Sequence, residues 1–284
     1  MKFVRYITAS IIGICLVGGF AVSVSRDAVT ASKNEYSINL PVLMYHQVLD
    51  KPSKLGKYVI SPQELEADLM LLDSLGYETV TVRDLIDFCD GKRNLPPKPV
   101  MLTFDDGYQT DYINVFPLLR RYNMKAVFSV VGSYTEKYSQ ENIDKHINYA
   151  HLSWDEIREM YASGHCEFQN HSYNMHSLEK RHGCLKINGE SDEHYRAMML
   201  EDIQISQKLF AEELGFVPEC FTYPYGGTCD TLKEIIKEET FFASLGTYEQ
   251  VNVLTGKRDE LYDIRRFNRA HGADIRKILK KAEK

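Results

Sequence analysis

Four short segments carry the residues able to do chemistry. TFDDGY places Asp105 and Asp106 directly after an apolar run and before Gly107. Inside a strand, adjacent side chains point to opposite faces, but at a strand end a glycine-relaxed turn lets both carboxylates approach one pocket. The plainer alternative is a turn in which Asp106 caps the next helix. HSYNMH carries His171 and His176, again behind an apolar run. Two imidazoles at this spacing suit a loop folded back on one ion better than a helix face. Zinc-like ions take imidazole nitrogen and carboxylate oxygen, and in catalytic sites they keep one position open for water. One aspartate with the two histidines makes such a mixed site and leaves the other aspartate free as a base. VLMYHQV sets His46 at the end of a first strand. It is a candidate proton donor to a leaving group, or an ordinary core histidine. TYPYGG puts Tyr225 in a Pro-initiated turn whose backbone N–H could face an oxyanion, or which is only a turn.

These segments need a frame that brings strand ends together, and the chain has one. From Leu40 onward strand-like and helix-like patterns alternate. PVLMYHQV (41–48) reads as a buried strand. In the following helix Ser61 is the N-cap, Pro62 the first helical residue and Glu64 the partner in a capping box, and Gly76 ends the segment. Strands are expected at 78–82, 99–104, 125–131, 165–171, 219–226, 241–247 and 263–269. Helices are expected at 82–91, 111–123, from Ser153 through a capping box with Glu156, at 192–214, at 231–239 and in the basic tail. A tyrosine-rich loop before Ser153 and a polar loop at 177–191 interrupt the pattern. Repeated βα units of this number point to a single-domain α/β barrel, (β/α)7–8, with the active site at the carboxyl ends of the strands.

Composition bounds the partners. The 284 residues are 44% apolar and 26% charged, with 34 basic against 40 acidic side chains, a net charge of −6. This excludes a disordered chain and argues against nucleic acid as a partner. Lys2 and Arg5 precede an uncharged run from Tyr6 to Ser25, at the length of a bilayer core. Residues 1–25 therefore read as a signal anchor, or as a signal peptide cleaved after Ala31, with the remainder outside the cytoplasm. Residues 26–39 read as a linker, and 40–284 as the catalytic domain, a monomer. Cys220 and Cys229 either pair across a loop or stay free as buried thiols.

TFDDGY, HSYNMH and TYPYG, in this order, resemble the polysaccharide deacetylases of the NodB-homology group, carbohydrate esterase family 4, over roughly residues 40–270. The resemblance implies a distorted (β/α) barrel and a divalent metal, usually zinc. The substrate it implies is an acetylated glycan, most often an N-acetylglucosamine polymer. It makes Asp105 the general base, Asp106, His171 and His176 the metal ligands, and Tyr225 the donor of an oxyanion-binding amide. Two features depart from the commonest members. Thr222 stands where they carry an arginine, and the late Leu-x-His segment that supplies their general acid is not evident. The early LMYH segment, the histidine spacing and FTYPYG look like the branch with poly-β-1,6-N-acetylglucosamine deacetylases. There the barrel is circularly permuted and the early histidine is the acid, which assigns that role to His46, with His271 in RAHG as its rival. Arg265 and Arg266 are candidates to orient Asp105 or to bind sugar. An O-acetyl esterase on xylan or peptidoglycan and a catalytically silent glycan-binding barrel are the competing functions. His182 and His194, flanking the polar loop, line a groove or are solvated.

Overall fold

A computed structural model describes residues 37–239 and 241–283. The signal or anchor segment and most of the linker lie outside the described residues. Among the described residues, no helix is long and apolar enough to cross a membrane.

The order begins with β1 (Ile38–Leu40), β2 (Val42–Tyr45), β3 (Gln47–Val48) and β4 (Val59–Ile60). Then come α1 (Pro62–Ser74), β5 (Glu78–Thr79), α2 (Val82–Cys89) and β6 (Pro99–Asp106). They are followed by α3 (Phe116–Arg121), β7 (Ala126–Val130), α4 (Gly132–Ser139), α5 (Trp154–Ala162) and β8 (Cys166–Asn170). The chain then forms α6 (Asp192–Leu214), β9 (Cys220–Thr222), α7 (Asp230–Glu238) and β10 (Ala243–Leu245). It ends with β11 (Asn252–Leu254), β12 (Phe267–Asn268) and α8 (Arg276–Ala282).

The parallel sheet runs β10-β9-β8-β7-β6-β2-β12, with β5 paired beside β6. This curled seven-strand ribbon is the barrel expected from the repeated βα units. The chain 263–269, expected as one strand, serves both edges. Ile264 exchanges backbone hydrogen bonds with Ser244 and Gly246 beside β10, and β12 pairs with β2. The two edges are thereby joined through Arg266.

Alternation along the central strand decides what reaches the site. In β6 Val100, Leu102 and Phe104 face one way, into the larger core with α1, α3 and α5. Tyr45, Phe104, Phe128 and Phe168 make a stacked ladder on that face, with ring centroids 4.8 to 5.4 Å apart across neighbouring strands. Met101, Thr103 and Asp105 face the other way. Met101 joins a second apolar cluster with Val42, Val127, Cys220 and Leu245, and the polar pair Thr103 and Asp105 sits above it.

Helix ends follow the sequence signals. The Ser61 hydroxyl accepts the Glu64 amide at 3.2 Å and the Glu64 carboxylate accepts the Ser61 amide at 3.0 Å. Gly215, at φ 75°, ends α6. Two expectations need correction, and one open alternative is decided. The tyrosine-rich loop contains α4, whose glycine start and low apolar content hid it. The linker ends earlier than residue 39, because Ile38–Leu40 pairs antiparallel with Asn252–Leu254. Cys220 and Cys229 do not pair: Cys220 is buried in the second cluster, and Cys229 packs half-buried against a third beside α6 and α7. The described residues belong to one compact unit.

Candidate active site

Every chemical segment leaves the carboxyl end of a parallel strand: His46 after β2, Asp105 and Asp106 at the end of β6, His171 after β8, and Tyr225 after β9. Together with Gln47, Lys57, Tyr58, Tyr108, His176, His182, Glu249 and Asn268 they line one cleft of about 630 Å3. A second depression of similar size lies among Thr81, Lys125, His165 and Glu219, at the amino ends of the strands and away from this chemistry.

Two adjacent aspartates reach one cleft because the backbone breaks its alternation between them. Asp105 keeps the strand orientation and points inward, whereas Asp106 has φ 72°, a conformation uncommon for a residue with a side chain. Gly107 continues the left-handed turn at φ 64°, and a Cβ there would stand 2.7 Å from Val130 Cγ1. The turn thus requires glycine both sterically and conformationally.

Asp106 Oδ1 lies 3.0 Å from His176 Nε2 and 3.4 Å from His171 Nε2. All three ligand atoms fall within 4.8 Å of one another. His171 Nδ1 pairs with the Thr222 carbonyl at 2.9 Å. A carbonyl can only accept, so Nδ1 carries the proton and the Nε2 lone pair faces Asp106. Asp106 Oδ1 is buried without a hydrogen-bond partner. A carboxylate oxygen and the His171 lone pair facing it repel each other unless a cation lies between them. The donor set of one oxygen and two nitrogens suits a zinc-like ion with open positions.

Asp105 is held differently. The Arg266 guanidinium grips both its oxygens, Nη1 to Oδ1 at 2.7 Å and Nη2 to Oδ2 at 2.8 Å. Arg266 is fully buried, and it also donates to the Gly246 carbonyl and Thr103 Oγ1. Burial pushes the Asp105 carboxyl up, but Arg266 more than reverses this and the pKa falls below the ordinary range. Arg265 is exposed and engages Asn252 through its backbone. Of the two arginines, Arg266 alone orients Asp105.

His46 is half-buried beside Tyr58, ring centroids 4.7 Å apart, and its Nδ1 has no partner. Burial lowers its pKa, against the opposing pull of Asp105 and Asp106. His271 is remote from these groups. It is exposed and pairs with Glu64 at 2.9 Å, at the start of α1. Tyr225 sits at φ 55°. The Gly226 and Gly227 amides bond the Tyr223 and Pro224 carbonyls. The Tyr225 amide, in the first turn behind a proline, has no intrahelical acceptor of its own.

Sequence reasoning missed three residues here. His151, in a loop before α5, pairs through Nδ1 with the Asp106 carbonyl at 2.9 Å and packs among Tyr108, Tyr134 and Tyr138. Asp202 of α6 accepts the amides of Tyr173 and Asn174, between the two site histidines, at 2.8 and 2.7 Å. Asp111, in a π-helical turn (Asp111–Val115), is fully buried with both oxygens unpartnered. Burial, then the charges of Asp106 and Asp105, push its carboxyl well above the usual range. No local pattern marks any of the three: His151 and Asp202 act on the site through tertiary contacts, and Asp111 is set apart only by its burial.

The comparisons place this barrel, with its polar cleft at the strand ends, among hydrolases. The polysaccharide deacetylase family model matches residues 92–241, and the chain belongs to that family. It is 25% identical over 185 residues to the poly-β-1,6-N-acetyl-D-glucosamine N-deacetylase of Staphylococcus aureus strain MRSA252, covering 65% of this chain and 60% of that one. The enzyme of the same name from Escherichia coli K12 is 30% identical over 141 residues, 47% of this chain and 20% of that one. Among solved structures, a de-N-acetylase from Aggregatibacter actinomycetemcomitans aligns at TM-score 0.73 and 27% identity, over 84% of this chain and 99% of that one. IcaB from Ammonifex degensii aligns at 0.71 and 26%, over 87% and 98%. The chain thus spans about 60% of the length of the staphylococcal relatives it matches.

Proposed function

We propose that the protein is a divalent-metal deacetylase, with zinc as the ion, that hydrolyses N-acetyl groups on an extracytoplasmic N-acetylglucosamine polymer of the β-1,6-linked kind. The observation that carries the reading is the convergence of Asp105, Asp106, His171, His176, His46 and the Tyr225 turn on one cleft. The relatives named for this reaction support the substrate. The basic residues and uncharged run at the N-terminus support the location, with the membrane as the attachment point.

Asp106, His171 and His176 would hold the ion, which supplies a Lewis acid for the acetamide carbonyl and lowers the pKa of water. Asp105 is the general base. Arg266 keeps it ionised and fixes both oxygens, so it accepts the proton of the attacking water in one orientation. The Tyr225 amide donates to the tetrahedral oxyanion. His46, across the cleft, delivers a proton to the departing nitrogen, which leaves poorly as an anion. It acts in the protonated form: burial lowers its affinity for the second ring proton, so His46 gives that proton up to the nitrogen while Asp105 holds the one taken from water. The acidic rim residue Glu249 suits a product that gains positive charge.

The test is acetate release from β-1,6-linked N-acetylglucosamine oligomers by chelator-treated and zinc-restored protein. Release that is lost on chelation and returns with zinc is expected. An absence of acetate from every acetylated glycan tested, at full metal loading, would remove the enzymatic reading and leave a glycan-binding barrel.

A further inference from the structure

The two site histidines are secured unequally. His171 is almost fully buried and its Nδ1 is fixed by a main-chain carbonyl. His176 is less buried, and its Nδ1 meets the hydroxyl of Tyr225 at 3.3 Å. Tyr225 is itself 41% exposed, so its ring needs a further support to hold that hydroxyl in place. His182 supplies one. The rings of His176, Tyr225 and His182 form a continuous stack, with centroids 4.4 and 5.4 Å apart and interplanar angles of 27° and 24°.

We propose that His182, through the Tyr225 ring, braces the metal ligand His176, so that the polar loop 177–191 sets the metal affinity of the site. This rests on the metal reading above and assigns a role to a loop that reading does not use. Neither residue is a ligand in this scheme. The His176 Nδ1–H donates to the phenol oxygen, which leaves Nε2 directed at the ion, and His182 restricts rotation of the phenol.

The loop is built to hold His182 in place. Arg181 makes a bidentate pair with Glu190 at 2.8 and 2.6 Å and donates to the Leu185 carbonyl at 2.6 Å. Tyr195 of α6 donates to the Cys184 carbonyl at 2.6 Å. Gly183, at φ 57°, presses against the Tyr225 turn: a Cβ there would stand 2.6 Å from the Pro224 carbonyl oxygen. The loop and the turn therefore move as one piece. Partners that orient a metal-ligating histidine are worth about 10- to 100-fold in metal affinity.

The experiment is zinc titration of metal-stripped full-length protein against a chromophoric chelator, with melting temperatures of the stripped forms recorded alongside. Asp106→Asn, expected to bind zinc far more weakly, marks the site. His182→Ala and Tyr225→Phe are each expected to weaken zinc binding by about 10-fold, the lower end for such partners. His182→Phe, which keeps the stacked ring and removes the nitrogens, is expected to retain wild-type affinity and provides the folded control. Wild-type affinity in His182→Ala, with Asp106→Asn impaired, overturns the brace and leaves the metal site standing. A loss in His182→Phe as large as in His182→Ala also overturns it, since a ring nitrogen would then be the active feature. If wild type itself binds no zinc, the metal reading fails and the brace falls with it.

Discussion

Arg266 and Arg269 leave the same terminal segment, and each ends bidentate on a buried aspartate. Arg266 grips Asp105 at 2.7 and 2.8 Å, and Arg269 grips Asp68 at 2.7 and 3.1 Å. The two carboxyls nevertheless respond in opposite senses. Burial pushes both up, but Arg266 brings Asp105 below the ordinary range while Asp68 stays above it. The difference lies in what else each group serves. Arg269 is shared with the Ala270 carbonyl and with Glu64, whose charge adds to burial in raising the Asp68 pKa, and the hydrogen bond that Tyr45 donates to Asp68 only partly offsets the two. Asp105 additionally faces His171 and His46 across the cleft. Asp68 ties α1 to the end of the chain. Asp105, with the same partner chemistry, lines the cleft, where the proposed mechanism uses it as the base, while the Asp68 pair acts as a staple.

The largest separation between the pairs is expected in turnover. Asp105→Asn should lower kcat for glycan deacetylation by about 1,000-fold, within the range for a general base. Asp68→Asn should leave the kcat of the folded protein near wild type. Comparable losses in both variants would erase the distinction.

Stability should separate them less. Asp68→Ala strands a buried guanidinium and is expected to cost about 3–5 kcal/mol in urea unfolding, the range for breaking a buried pair. The double variant Asp68→Leu with Arg269→Met should recover most of that loss and stay active, because an apolar pair of similar volume can replace a structural ion pair. The corresponding double change at Asp105 and Arg266 should fold and be inactive.

His46→Ala tests what the cleft side of the comparison serves. It should reduce amide hydrolysis by about 100-fold, the low end for loss of a proton-transfer group. An O-acetyl ester, whose leaving group departs more readily, should be affected less in the same kcat assay. Equal losses on both substrates would deny His46 the role of acid.

The smallest effect concerns a buried carboxylate with no cation at all. Asp202, held by two backbone amides, has its pKa pushed up to about 6, with burial as the main cause. The folded state therefore binds its proton more tightly than the unfolded chain, where an aspartate titrates near about 4. That proton stabilises the fold below the unfolded value, and the benefit is lost as pH rises through about 6. Relative to Asp202→Asn, wild type should lose stability between about pH 4 and 6 and stay level above it, as read from urea midpoints. A flat difference would show that Asp202 does not titrate in this window.

The contrast also marks what the sequence makes legible. Asp105, Asp106, His171, His176, His46 and Tyr225 were readable because each follows an apolar strand pattern, and strand ends in a βα repeat share one side. The span of α6, 192–214, is readable from the sequence, closing at Gly215, and the structure adds Ser191 as its cap. Arg266 was only half readable. Its charge was visible beside Arg265, but which arginine turns inward depends on how the last strand splits between β10 and β2. Asp68, Asp202 and His151 could not be read as supports, since their partners lie far along the chain. α4 was lost for a different reason: GSYTEKYS lacks the apolar periodicity that marks a buried helix, and tertiary contacts to α5 hold it instead.

The central claim is that Asp106, not Asp105, joins His171 and His176 on a metal while Arg266 reserves Asp105 as base. Anomalous diffraction at the zinc edge, from crystals of the zinc-loaded protein, tests it most directly. The expected result is one peak within about 2.0–2.2 Å of Asp106 Oδ1, His171 Nε2 and His176 Nε2, with Asp105 still paired to Arg266. A peak bound by Asp105, or one elsewhere in the barrel with these three residues unliganded, would contradict the account.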